Sequence, residues 1–240
     1  MSKIIWRTNL ADRSYNRLDN PVGYSLNENH RSLAIGNGLA RRYPADTAPF
    51  VALAEDTAAG FADLAKIVSP GEAVPLVSPL PPAIPANWQV VRQRNMVQMV
   101  YDQDHSPVAP QTLFSFNTLT EKDVPAILAL VELTRPGPFL PRTIGLGSYV
   151  AVCDGPKIAA MAGERFSLEG FREISAVCTH PDYQKRGYGT RLINYLIAKN
   201  LQAGSLPFLH VFEDNPAKQL YETLHFRQRK ILTLSVIMHS

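Results

Sequence analysis

The stretch "REISAVCTH" (172–180) is a short apolar strand, and the amphipathic run that opens at Tyr188 is a helix. Only a brief loop separates them. A strand running this directly into a helix implies a sheet with helices packed on it. The join also constrains chemistry. Helix starts ordinarily carry Ser, Thr, Asp or Asn caps and acidic residues in the first turn, because the helix N-terminus is partly positive. Gln184, Lys185, Arg186, Gly187, Tyr188 and Gly189 instead place two cations and two glycines there. That end is suited to an anion.

The surrounding pattern repeats the theme. "TEKDVPAILALVELT" has a Thr120 cap, acidic residues in its first turn and apolar positions at helical spacing. "SYVAVCDGPKIAAMAGERF" reads as two strands about Asp154-Gly155, "PFLHVFED" as a buried strand, "PAKQLYETLHF" as a short helix, and "RQRKILTLSVIMHS" as the closing strand or strands. The expected class is α/β, a mixed sheet with helices packed on it. Proline-dense "SPLPPAIPANW" and the break "DQDHSPVAPQ" flank a strand-like run, "WQVVRQRNMVQMVY", and put a domain boundary near residue 110. Residues 1–110 echo the second half more faintly: a hairpin about Asn37-Gly38, a strand running into a helix within "PFVALAEDTAAGFADLAKIV", and a further strand, "AVPLVSP". At the corresponding join stands Glu55-Asp56-Thr57, an acidic cap hostile to phosphate.

Composition narrows the function. A net charge of +3, with no basic cluster interleaved with aromatics, gives no nucleic-acid footprint. No run approaches membrane-spanning length, and "MSKIIWRTNLADRS" lacks the apolar core of a signal peptide. The two cysteines, Cys153 and Cys178, lie in apolar runs, which implies buried, reduced thiols and a cytoplasmic setting. No metal site is expected, since neither has His partners at ligand spacing.

Gln184-x-x-Gly187-x-Gly189, after an apolar strand and opening a helix, resembles the pyrophosphate loop of the GNAT N-acetyltransferase superfamily. "HVFEDNPAKQLYETLHF" resembles that family's second signature, with His225 where the family usually has Gly. The resemblance spans residues 112–240 and implies a GNAT fold there, with residues 1–110 a degenerate copy as in tandem members. It implies acetyl-CoA as co-substrate, held by Gln184, Lys185, Arg186, Gly187, Tyr188, Gly189 and Thr190. Asn215 and the strand edge at Val177, Cys178 and Thr179 would complete its site. That strand would part from "FLHVF", freeing backbone amides for the thioester carbonyl and for the pantetheine.

Amine acetylation also needs a proton donor for the departing thiolate and a way to deprotonate the amine. The resemblance puts Tyr221 at the donor position and Glu173 at the base position. A carboxylate beside Phe171 and Ile174 is expected to have a raised pKa; water is the alternative base, and Glu164 the rival carboxylate. Phe139, Arg142, Glu164 and Arg165 are candidates for the acceptor pocket, the arginines for an acceptor carboxylate. The expected acceptor is a small-molecule or peptide amine, and the expected state a monomer or homodimer. Two other functions stay open: a non-catalytic acyl-CoA sensor, and an acyltransferase for longer chains.

Overall fold

Asn20 starts the first helix, α1 (Pro21–Asn27), by accepting the Gly23 amide at 3.0 Å, while Pro21 sits where no N–H is needed. The computed structural model describes residues 15–105 and 116–240. A short strand, β1 (Ala40–Arg42), leads to β2 (Val51–Leu53), and Thr57 then caps α2 (Ala58–Leu64) by accepting the Gly60 amide. The chain continues through β3 (Val74–Ser78) and the long β4 (Trp88–Tyr101). The boundary expected near residue 110 lies outside the described residues.

After the short β5 (Asn117–Thr118), Asp123 accepts the Thr120 amide at 2.7 Å and starts α3 (Val124–Thr134), as the Thr120 signature predicts. A hairpin of β6 (Tyr149–Asp154) and β7 (Lys157–Leu168) turns at Gly155, whose φ of +58° suits a residue without Cβ. β8 (Phe171–Thr179), α4 (Tyr188–Gln202), β9 (Leu206–Phe212), α5 (Ala217–Thr223) and β10 (Phe226–His239) complete the chain. His225, just past α5, has a φ of +64°. A glycine would take this left-handed helix exit at no steric cost.

All ten strands form one mixed sheet in the order β1-β2-β3-β10-β4-β9-β8-β7-β6-β5. Two neighbouring pairs, β2/β3 and β8/β9, are parallel. Strand β4 lies between β9 and β10, so a strand of the first half is enclosed by two of the second. The expected hairpin about Asn37-Gly38 is reduced to a single bridge, Ile35↔Arg42.

Helix α4 buries Leu192, Ile193, Leu196 and Ile197 against the sheet, the apolar stripe its 3.6-residue period dictates. At full burial each contributes about 1.5–3 kcal/mol. Helix α3 covers a separate cluster with Ile127, Leu130, Phe139, Tyr149 and Met161. Gly163 faces Tyr149 across the β6–β7 ladder, and a Cβ there would fall 2.0 Å from the ring. Gly163→Ala is therefore expected to cost about 1–3 kcal/mol by overpacking. Thermal unfolding checks this; an unchanged midpoint would show that the ring has room to move.

Candidate active site

Strands β8 and β9 pair only at Phe171↔Leu206, Arg172↔Pro207 and Glu173↔Phe208. Past Glu173 they part, as expected of "SAVCT" and "FLHVF". On its other edge β8 pairs Ser175 with Gly163 and Cys178 with Met161, so Ala176 and Val177 together oppose Ala162. This is a bulge, and Ala176 takes a φ of +52°, costly for a residue with Cβ. The bulge bends the strand where it leaves its neighbour and exposes backbone along the gap.

The loop that follows turns about Lys185 (φ +62°) and Gly187 (φ +74°), the latter serving as N-cap of α4 without any side-chain capping bond. Among the described residues, the amides of Lys185, Arg186, Gly187, Gly189 and Thr190 donate to no hydrogen bond. Alternation of left-handed with ordinary residues makes successive N–H groups converge on a concave nest. A Cβ on Gly187 would meet nothing within 4 Å, and one on Gly189 only Thr179 Oγ1 at 3.9 Å. There is space over a row of unsatisfied donors at the positive end of a fifteen-residue helix. These residues fit a diphosphate.

Near the gap, Thr179 is half-buried and paired with Ala160, and Val177 packs against the main core. Burial raises the Cys178 thiol to about 11, which makes a covalent acyl-cysteine unfavourable at neutral pH. Asn215 Oδ1 accepts the Ala217 amide at 2.9 Å and so starts α5. On that helix, Tyr221 lies edge-on to Phe226, ring centroids 6.1 Å apart. Desolvation raises its hydroxyl to about 12, so the phenol keeps its proton throughout the physiological range.

The carboxylates depart from expectation. Glu173 is fully buried, yet its pKa is lowered to about 2, not raised. Burial pushes the pKa up, but the charge and hydrogen bonds of Arg165, with help from His210, outweigh it. Arg165 Nε and Nη2 donate to its two oxygens at 2.8 and 2.7 Å, and His210 Nδ1 donates to Oε1 at 2.7 Å. A carboxylate so committed has no lone pair aimed at an amine and is too weakly basic to deprotonate one. The pairing likewise removes Arg165 from the acceptor-binding set. Its guanidinium lies over both Phe50 and Phe166, 4.8 and 4.6 Å from the ring centroids.

Glu164 is also buried, accepting from Ser148 N and Lys199 Nζ, both at 2.9 Å, on the α4 side. It holds structure together and offers no free base. Phe139 is core, edge-on to Tyr149 at 5.3 Å, while Arg142 is exposed, 3.7 Å from Asp46. The Arg142 loop is pinned to the first half through Thr143 Oγ1, which donates to Thr47 O at 2.6 Å.

His210 and Gln98 were not foreseen. His210 places its proton on Nδ1 toward Glu173 and leaves Nε2 to accept from the Gln98 amide at 3.0 Å. Gln98 Oε1 accepts in turn from Arg229. The available signal was a lone polar residue inside the apolar run "PFLHVF", since a buried polar side chain requires partners.

The FR47-like protein family matches residues 149–233. A GNAT-family protein of known structure from Novosphingobium aromaticivorans is 34% identical. The match covers 93% of this chain and 98% of that one, with a TM-score of 0.84. A GCN5-related N-acetyltransferase from Kribbella flavida is 16% identical over 90% of this chain and 93% of that one, with a TM-score of 0.60, and shares the fold. A GCN5-related N-acetyltransferase-like protein from Streptococcus suis does likewise at 13% identity, 95% and 98% coverage and a TM-score of 0.57. No curated protein matches the chain by sequence. Fold and cleft together define an acyltransferase. The extent and identity of the Novosphingobium match make the assignment narrower: the chain belongs to the GNAT family.

Proposed function

We propose that the protein transfers an acetyl group from acetyl-CoA directly to a primary amine bound in the same cleft. One observation carries this reading: the gap between β8 and β9 opens at the same end of the sheet as the unsatisfied amides of Lys185, Arg186, Gly187, Gly189 and Thr190. The co-substrate supplies an acyl group activated as a thioester. The loop amides and the α4 N-terminus would hold its diphosphate, with Lys185 and Arg186 adding screened attraction and Gln184 closing one side. The free edge of β8 at Thr179 would pair with the pantetheine amides, and the backbone at Val177 would face the thioester oxygen.

Tyr221, protonated at neutral pH, would pass its proton to the sulfur as the C–S bond breaks. The amine nitrogen forms the new bond to carbon, and its own proton leaves through water, because Glu173 and Glu164 are both committed to ion pairs. Among residues 15–105, one feature supports reading the first half as a degenerate copy of the second. Their β2–α2–β3 unit is a parallel crossover like β8–α4–β9, and Thr57 caps its helix from its own side chain.

Incubation with acetyl-CoA and a panel of amines, amino acids and short peptides, read as released thiol, tests the reading. Tyr221→Phe should lower kcat about 100-fold, the scale of one general acid, and leave coenzyme A affinity unchanged. An unaltered kcat would remove Tyr221 from the chemistry. Coenzyme A binding without turnover of any amine would favour a sensor.

A further inference from the structure

Strand β4 has fourteen residues, and β9 has seven. β9 pairs with β4 only from Met96 to Val100. Residues 89–95 therefore pair with β10 alone, and among the described residues no backbone bond engages their other edge. Gln89 to Gln93 and Asn95 are also exposed, including the adjacent pair Val90 and Val91 at 45% and 55%. Proteins ordinarily blunt or cover such an edge, because it is a template for another strand.

Its location gives it meaning. β8 and β9 are parallel, so their carboxyl ends point the same way, toward the loop that opens α4. β4 is antiparallel to β9, and its residues 95 down to 89 continue in that direction past Phe212. The bare edge thus stands beyond the end of β9, one strand spacing of about 4.8 Å to its side, at the end where the cleft opens. A strand added there would extend the line of β9 alongside the gap.

We infer that the acceptor is the amino-terminal segment of an acidic, extended polypeptide, which docks by adding to β4 as an antiparallel strand. This rests on the acetyl-transfer reading. An added strand antiparallel to β4 whose first residue faces Arg94, two positions beyond Phe212, brings its α-amine to the mouth of the gap. Charge sets the partner's character. Arg94 stacks on Phe212 at 3.9 Å and binds Asp214 at 2.9 Å, whereas Arg92, on the same face two residues along, has no ion-pair partner among the described residues. An acidic side chain at the third position of the acceptor would stand opposite Arg92. Backbone bonds to β4 supply affinity and the side chains supply selectivity.

The test uses the full chain saturated with coenzyme A and hexapeptides with a free α-amine and a fluorophore at the far end, followed by anisotropy. A peptide with Asp at position three should bind at least tenfold more tightly than one with Lys, and Arg92→Glu should reverse the order. N-methylation should abolish binding at alternate amides, those facing β4, and leave the others unaffected. With acetyl-CoA, thiol release should follow the same order through KM. An order indifferent to Arg92→Glu, tolerance of every N-methylation, or sedimentation showing a second copy paired on this edge would overturn the inference. Coenzyme A binding is measured in the same samples. Its absence would remove the acetyl-transfer reading as well, whereas peptide indifference with coenzyme A bound removes only the docking.

Discussion

Coenzyme A should bind Gly189→Glu at least about 100-fold more weakly than the native protein, with no loss of thermal stability. The two effects separate because the substitution suits the helix and opposes the ligand. A Cβ at position 189 meets only Thr179 Oγ1, at an ordinary 3.9 Å, so the fold accommodates it. A carboxylate in the first turn of α4 interacts favourably with the helix dipole, by about 0.3–1 kcal/mol. The same carboxylate would stand within about 4 Å of a diphosphate on the loop amides, where like charges repel by about 4 kcal/mol at an effective dielectric of 20. Even after screening, about 2.7 kcal/mol of lost binding, or 100-fold, should remain. Calorimetric titration beside thermal unfolding reads both quantities. Undiminished affinity would place the diphosphate elsewhere.

Glu173→Gln should destabilise the protein by about 3–5 kcal/mol, the cost of leaving a buried charge unpaired. Arg165 has no alternative anion: Glu173 is its only ion-pair partner among the described residues, and its guanidinium otherwise lies against the rings of Phe50 and Phe166. Joint replacement of Arg165 and Glu173 by methionine should recover most of the loss, because the penalty arises from the orphaned charge. Denaturant melts of the two variants decide this. The pH dependence has a definite sign. The folded pKa of Glu173 lies at about 2, below its ordinary 4.5. Its stabilising contribution is thus complete above about pH 4.5 and is lost as pH falls toward 2. Glu173→Gln should flatten that acid limb. An acid limb identical to the native one would show that the pairing with Arg165 contributes little. A rate profile governed by Glu173 near neutrality would contradict the assignment of this carboxylate to structure.

The elements of the second half were legible because their determinants are local. Thr120 and Asp123 fix the start of α3, the apolar stripe of α4 fixes its buried face, and Gly155 fixes the β6–β7 turn. The anion loop was legible for the same reason, since helix-start chemistry is written within six residues. The state of Glu173 was not. Its pKa depends on Arg165 across the β7–β8 ladder and on His210 from β9, neither of which can be placed before the strands are paired. A nearest-neighbour reading saw Phe171 and Ile174 and gave the wrong direction. The insertion of β4 between β9 and β10 was equally hidden, because strand pairing across more than a hundred residues leaves no periodic trace in either strand. With it went the roles of Gln98 and of the bare edge at residues 89–95.

Amide nitrogen NMR of the protein titrated with coenzyme A addresses the anion loop directly. If the loop holds the diphosphate, the resonances of Lys185, Arg186, Gly187, Gly189 and Thr190 will move together and saturate with one affinity, and in Gly189→Glu the other four will stay still at the same ligand concentration. Saturation of the ligand with those five amides unmoved, or no binding at all, would contradict the assignment of this cleft to acyl-CoA.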